Sequence, residues 1–61
     1  MKVKTDYDKC DYITAGKEYY AEPHALEGLA VIVADNHKLA VIMLNRTCPH
    51  LHEIGTWEVV E

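Results

Sequence analysis

Two apolar runs occupy the middle of the chain, Gly28 to Ala34 and Leu39 to Leu44, on either side of the polar stretch Asp35-Asn36-His37-Lys38. Short β-type runs joined by a polar turn are the sequence form of a β-hairpin. Both runs are apolar at odd and even positions alike, whereas a strand with one wet face alternates. Both faces of this hairpin are therefore expected to be covered. A chain of 61 residues buries only about 60% of the surface it exposes when unfolded, so the second cover is expected from another molecule.

The register of the hairpin depends on its turn. A two-residue turn at Asn36-His37 places Leu29, Val31, Val33, Ala40, Ile42 and Leu44 on one face. Ala30, Ile32, Ala34, Leu39, Val41 and Met43 then share the other. A three-residue turn instead groups Leu29, Val31, Val33, Leu39, Val41 and Met43. Neither register leaves a polar face. The smaller, alanine-bearing face is the expected outside or intersubunit contact, with Ala30, Ile32, Ala40 and Ile42 as its contact residues.

The rest of the chain reads as short strands and brief connectors. Met1 to Thr5 alternates and forms a first strand, and Asp6 to Tyr12 is a polar loop anchored by the rings of Tyr7 and Tyr12. Gly16 marks a turn. Glu18 to Glu22 then alternates, with Tyr19 and Ala21 on one side and Glu18, Tyr20 and Glu22 on the other, until Pro23 removes a ladder donor. Thr47 as a cap and Pro49 in a first turn suggest one helical turn within residues 47–52. Thr56 to Glu61 is a closing strand in which Trp57 and Val59 share a face, with Tyr19 and Trp57 as core aromatics. Residues 1–61 thus predict one all-β domain, a small five-stranded antiparallel barrel.

The order of these pieces resembles the small SH3-like barrel proteins of bacteriophage and prophage genomes. The resemblance rests on Lys2-Val3-Lys4, on Ile13-Thr14-Ala15-Gly16-Lys17-Glu18-Tyr19, on Cys48-Pro49-His50-Leu51 and on the closing Trp57-Glu58-Val59-Val60. Ile13 stands where leucine is common and Ala21 where a larger aliphatic is usual. The resemblance implies an SH3-like barrel of phage or prophage origin and transfers no catalytic residue.

Charge and cysteine content narrow the function classes. Ten acidic and six basic side chains give a formal charge of −4 with no basic stripe, so direct binding to nucleic-acid phosphates is not expected. Two cysteines, Cys10 and Cys48, fall short of a disulfide framework. No cationic start leads into an apolar segment, and no run is long enough to span a bilayer. These features predict a soluble protein of a reducing cytoplasm, with both thiols free, and the phage resemblance implies that the cytoplasm is that of a bacterial host.

Four constellations could carry function. Tyr7, Tyr12 and Tyr20, edged by Asp6, Asp8, Asp11 and Glu22, could form an aromatic-acidic groove for a protein partner. The double-faced hairpin favours a homo-oligomer, and its open edges allow sheet extension between chains. Cys48, His50 and His52 supply zinc-ligand types, with Cys10, His24 or His37 as a fourth. Cys10 or Cys48 beside a histidine could form a nucleophilic pair, though no oxyanion element accompanies either. The expectation is a non-enzymatic, cofactor-free, phage-type accessory protein. It acts as a small, oligomeric binding module for a host or phage protein, with Tyr7, Tyr12, Tyr20, Asp8 and Asp11 at the contact. The alternatives are a protein stapled by zinc through Cys48, His50 and His52, and an acidic mimic of nucleic acid.

Overall fold

A computed structural model describes the whole chain from Met1 to Glu61. Its strands are β1 (Lys2–Lys4), β2 (Tyr19–Pro23), β3 (Leu29–Val33), β4 (Leu39–Met43) and β5 (Glu58–Val59). They form a single antiparallel sheet in the order β4-β3-β2-β1-β5. The sheet curls into a half-barrel, an all-β architecture consistent with a small SH3-like barrel. The one helical element is a single 3-10 turn, Pro49–Leu51, inside the segment expected to hold it. Its cap position is Cys48 rather than Thr47, and no side chain caps it.

Alternation determines which side chains fill the concave side. In β1, Val3 is fully buried between two half-buried lysines. In β2, Tyr19 and Ala21 point inward while Tyr20 and Glu22 point out, as their spacing requires. Pro23 is the last residue of β2, paired with Ala30, where a missing N–H costs the ladder least. The core gathers Val3, Ile13, Tyr19, Ile32, Ile42, Leu51 and Trp57, with four alanines and the two cysteines between them. The rings of Tyr19 and Trp57 meet edge to face at 5.9 Å and 86°.

The hairpin takes the three-residue turn. Ala34 donates its N–H to the Lys38 carbonyl at 2.9 Å, leaving Asp35, Asn36 and His37 in the loop. His37 adopts the left-handed conformation, φ 64°, that a three-residue hairpin loop needs at its last position. The Asn36 side-chain oxygen accepts the Lys38 N–H at 3.1 Å and braces the turn. The pairing that follows aligns Val31 with Val41 and Ala30 with Ile42.

This register corrects the expectation for the hairpin's two faces. Ala30, Ile32, Ala40 and Ile42, expected at an intersubunit contact, lie inside the protomer and are buried in its core. The concave side of a tightly curled sheet has little room. Two isoleucines alternating with alanines fit there beside Tyr19, Trp57 and Leu51. The bulkier set of Leu29, Val31, Val33, Leu39, Val41 and Met43 faces outward. One side of the ribbon is thus covered within the chain, and the other is open.

Two close contacts set the geometry around the 3-10 turn. Cys48 donates its N–H to the Gly55 carbonyl at 3.1 Å, and Gly55 returns its N–H to the Leu51 carbonyl at 3.1 Å. A Cβ on Gly55 would stand 2.7 Å from the Tyr7 Cβ and 2.8 Å from the Leu51 Cβ, so only glycine fits between them. His52 and Glu53 follow the turn with φ of 56° and 57°, two successive left-handed residues without glycine.

Candidate protein-binding surface

The outward rows of the sheet align across strands. The pairing of β2 with β3 sets Tyr20 beside Val33, and the hairpin sets Val33 beside Leu39. A row of Lys2, Tyr20, Val33 and Leu39 therefore crosses four strands, and Glu22, Val31 and Val41 form the next row. The exposed members are large: Tyr20 is 77% exposed, Leu39 74%, Val33 54% and Val41 44%. With the half-buried Leu29, Val31 and Met43 they expose on the order of 500 Å² of mostly apolar surface, at the upper end of what a monomer's largest patch shows.

Lys2 borders this face. Its ammonium lies 5.1 Å from the Tyr20 ring centroid and 3.5 Å from a Glu61 carboxylate oxygen. Glu61 holds the Lys2 pKa above its ordinary value, with Tyr20 adding to the effect, so the cation is retained beside the ring. At the foot of the hairpin, Leu26, Leu29, Met43 and Leu44 line an open groove of about 530 Å³ rimmed by Glu27 and Arg46. A second, polar groove runs between Lys4, Thr5, Asp6 and Thr56.

The hairpin tip is held by a knot that the turn's sequence does not advertise. Asp35 donates its N–H to the Tyr12 carbonyl at 2.9 Å. One of its carboxylate oxygens accepts from Lys17 Nζ at 2.8 Å and from the Tyr19 hydroxyl at 2.9 Å, and the other accepts from Thr14 Oγ1. The Tyr19 oxygen accepts the Thr14 N–H at 2.7 Å. The Lys17 ammonium first, then the Thr14 hydroxyl, hold the Asp35 carboxyl down at about 2. This knot ties the long β1–β2 connection to β3 and β4 and fixes the edge of the open face.

The aromatic-acidic groove is not assembled as expected. Tyr20 stands on the open sheet face. Tyr7 and Tyr12 instead pack against the core near the 3-10 turn, and the hydroxyl of each shares a hydrogen bond with a histidine ring. Tyr7 Oη lies 2.7 Å from His52 Nδ1, and Tyr12 Oη 2.7 Å from His50 Nδ1. Burial pushes the Tyr12 phenol up, with Cys10 and Cys48 adding to it. Asp8 and Asp11 are exposed on the loop between those tyrosines. The three tyrosines therefore do not form one row, because Tyr20 belongs to a strand and the other two to a loop that folds back on the 3-10 turn.

The same contacts engage the three candidate zinc ligands separately. Cys48 is fully buried, while His50 and His52 turn to different tyrosines. Proline at position 49 and the left-handed His52 break the alternation that would align the three side chains. No group of three or more histidine, cysteine, aspartate or glutamate side chains converges as a metal site. Both thiols are free and buried. No helix is long and apolar enough to cross a membrane.

Comparisons of the chain with protein-family models, with characterised proteins and with solved structures find no match.

Proposed function

We propose that this chain is a small protein-binding module, non-enzymatic and of the phage-accessory kind its element order resembles, and that it binds through the outer face of β2, β3 and β4. The observation that carries the reading is the row Tyr20, Val33 and Leu39 with Val41 beside it, four large apolar or aromatic side chains left open on one sheet face. Tyrosine anchors of this kind contribute large contact area at low entropic cost. The burial of both thiols and the openness of both grooves favour binding over catalysis. The binding surface thus moves from the loop tyrosines Tyr7 and Tyr12 to the sheet, with Tyr20 retained as its aromatic anchor.

Site-directed photo-crosslinking in the producing cell tests this. A photoreactive phenylalanine analogue at Tyr20 is expected to give discrete protein adducts, and the same analogue at the exposed loop residue Lys9 is expected to give none. A Tyr20 probe that yields no protein adduct while the chain is folded overturns the proposal.

A further inference from the structure

The outer face ends at β4, an outermost strand of the sheet. Hydrogen-bonded pairs recur at every second residue of an antiparallel ladder. Ala34–Lys38 and Gly28–Leu44 are such pairs at the two ends of the hairpin, through bonds of 2.9 and 2.8 Å. The even residues Ala40 and Ile42 therefore bond to β3. The N–H and C=O groups of Leu39, Val41 and Met43 point to the free edge. These three residues also carry the apolar side chains of the outer face, so one stretch of chain presents open backbone groups and open apolar surface together.

The two edges of the sheet differ in how they are protected. β5 is two residues long, carries Glu58 and is followed by Glu61, so it is short and charged. β4 runs Leu39-Ala40-Val41-Ile42-Met43 with no charge and no proline. An unguarded apolar edge is a template for a further strand.

We propose that a second copy of this chain fills that edge: β4 pairs antiparallel with its symmetry mate about a two-fold axis at Val41, joining two five-stranded sheets into one. The pattern is self-complementary. Val41 faces its own counterpart, Leu39 faces Met43 of the second copy, and these three odd-numbered pairs are of the hydrogen-bonded type, giving about six new main-chain bonds, with Ala40 opposite Ile42 in the non-hydrogen-bonded pairs between them. A two-fold axis normal to the sheet keeps both concave cores on one side, so the outer faces of the two copies merge. The inference rests on the reading of that face as a binding surface and makes the surface bivalent.

Size sets the strength of the pairing. A five-residue seam is about 17 Å long and covers Leu39, Val41 and the free main-chain edge of both copies, on the order of 600 Å² in all. That lies below the standard size of specific interfaces, so the pairing is weak and the dimer is expected to dissociate at about 100 micromolar or above.

Sedimentation across a concentration series, followed by hydrogen–deuterium exchange at the two extremes, tests the seam. The expected result is a shift from 6.9 kDa to twice that mass, with amide protection gained at Leu39, Val41 and Met43. Val41→Pro removes an N–H that points away from β3, and Leu39→Lys places a charge at the seam. Either variant, folded by circular dichroism, should stay monomeric where the parent pairs, and Leu39→Lys decides the matter if proline unfolds the chain. A parent that is monomeric at every concentration, or a dimer unmoved by Leu39→Lys, overturns the seam. Tyr20 adducts from a monomeric parent would leave the binding-module reading standing without the dimer, and missing adducts from a dimeric parent the reverse.

Discussion

Ile42 and Val41 are neighbours in β4 with opposite fates, and truncating each to alanine tests the register on which the open face depends. Ile42 is fully buried, and Ile42→Ala removes three carbon groups from a packed core. At about 0.8 kcal/mol per buried group the transfer term alone is about 2.4 kcal/mol. A cavity that relaxes only in part adds to it, within the 2–5 kcal/mol span of such truncations. A loss of about 3–4 kcal/mol is expected. Val41→Ala removes two groups from a side chain that is 44% exposed, for about 0.9 kcal/mol after that exposure is discounted. Urea unfolding of dilute protein, followed by the fluorescence of the single, buried Trp57, measures both. The ratio between the two losses carries the test. A Val41→Ala loss equal to or larger than that of Ile42→Ala would mean that the odd residues line the core, and the reasoning from turn to face to function would be refuted.

Other expectations follow from single contacts. Gly55→Ala forces a methyl against the Tyr7 and Leu51 Cβ atoms, which are fixed to backbone, and should cost at least about 1–3 kcal/mol in the same unfolding assay. Glu53→Gly relieves an exposed left-handed residue and should raise stability by about 1 kcal/mol, since glycine adopts that conformation freely. The Asp35 carboxyl is held at about 2 against 3.8 for a free aspartate, so the folded state binds fewer protons there than the unfolded state. Its contribution is whole above about pH 4 and is lost as pH falls towards 2; acid titration of Asp35→Asn should lack that part of the decline. Zinc or a strong chelator should leave the thermal midpoint unchanged, because Cys48, His50 and His52 do not converge.

The parts of this fold legible in the sequence are those set by local rules. Tyr19 and Ala21 alternate with Glu18, Tyr20 and Glu22, and the structure buries the first pair and exposes the other three. Pro49 marked the one helical turn, and the polar stretch Asp35-Asn36-His37-Lys38 marked the hairpin. The two faces of the hairpin were not legible from composition, since both are apolar. The turn length decides between them, and it rests on one torsion, the left-handed φ of His37, a residue type that signals this weakly. A preference for burying the larger side chains pointed the wrong way because curvature, rather than hydrophobicity, limits the concave side. The Asp35 knot was hidden for a different reason. Its partners Thr14, Lys17 and Tyr19 lie 16 to 21 residues away, and nothing local distinguishes a turn aspartate that closes such a network. The Tyr7–His52 and Tyr12–His50 pairs are more distant still, at 45 and 38 residues.

The distribution of polar groups explains why the open face sits where it does. The concave side is filled by one alternating set of side chains, and a chain this short has no second layer to place over the other. Natural sheets in that position turn the outer residues polar, as β1 does with Lys2 and Lys4 and β2 does with Glu22. The hairpin does not, although serving as a solvent-facing ribbon would require only three or four such changes. Replacing Val33, Leu39 and Val41 with threonine would keep β propensity and remove apolar exposure. If the face has no partner, that triple variant should fold, stay soluble and behave like the parent in crosslinking and sedimentation. If the face is a binding surface, the variant should be as stable as the parent when dilute, and lose both the Tyr20 adducts and the dimer. Equal adducts and equal dimer from the threonine variant would show that these side chains are incidental.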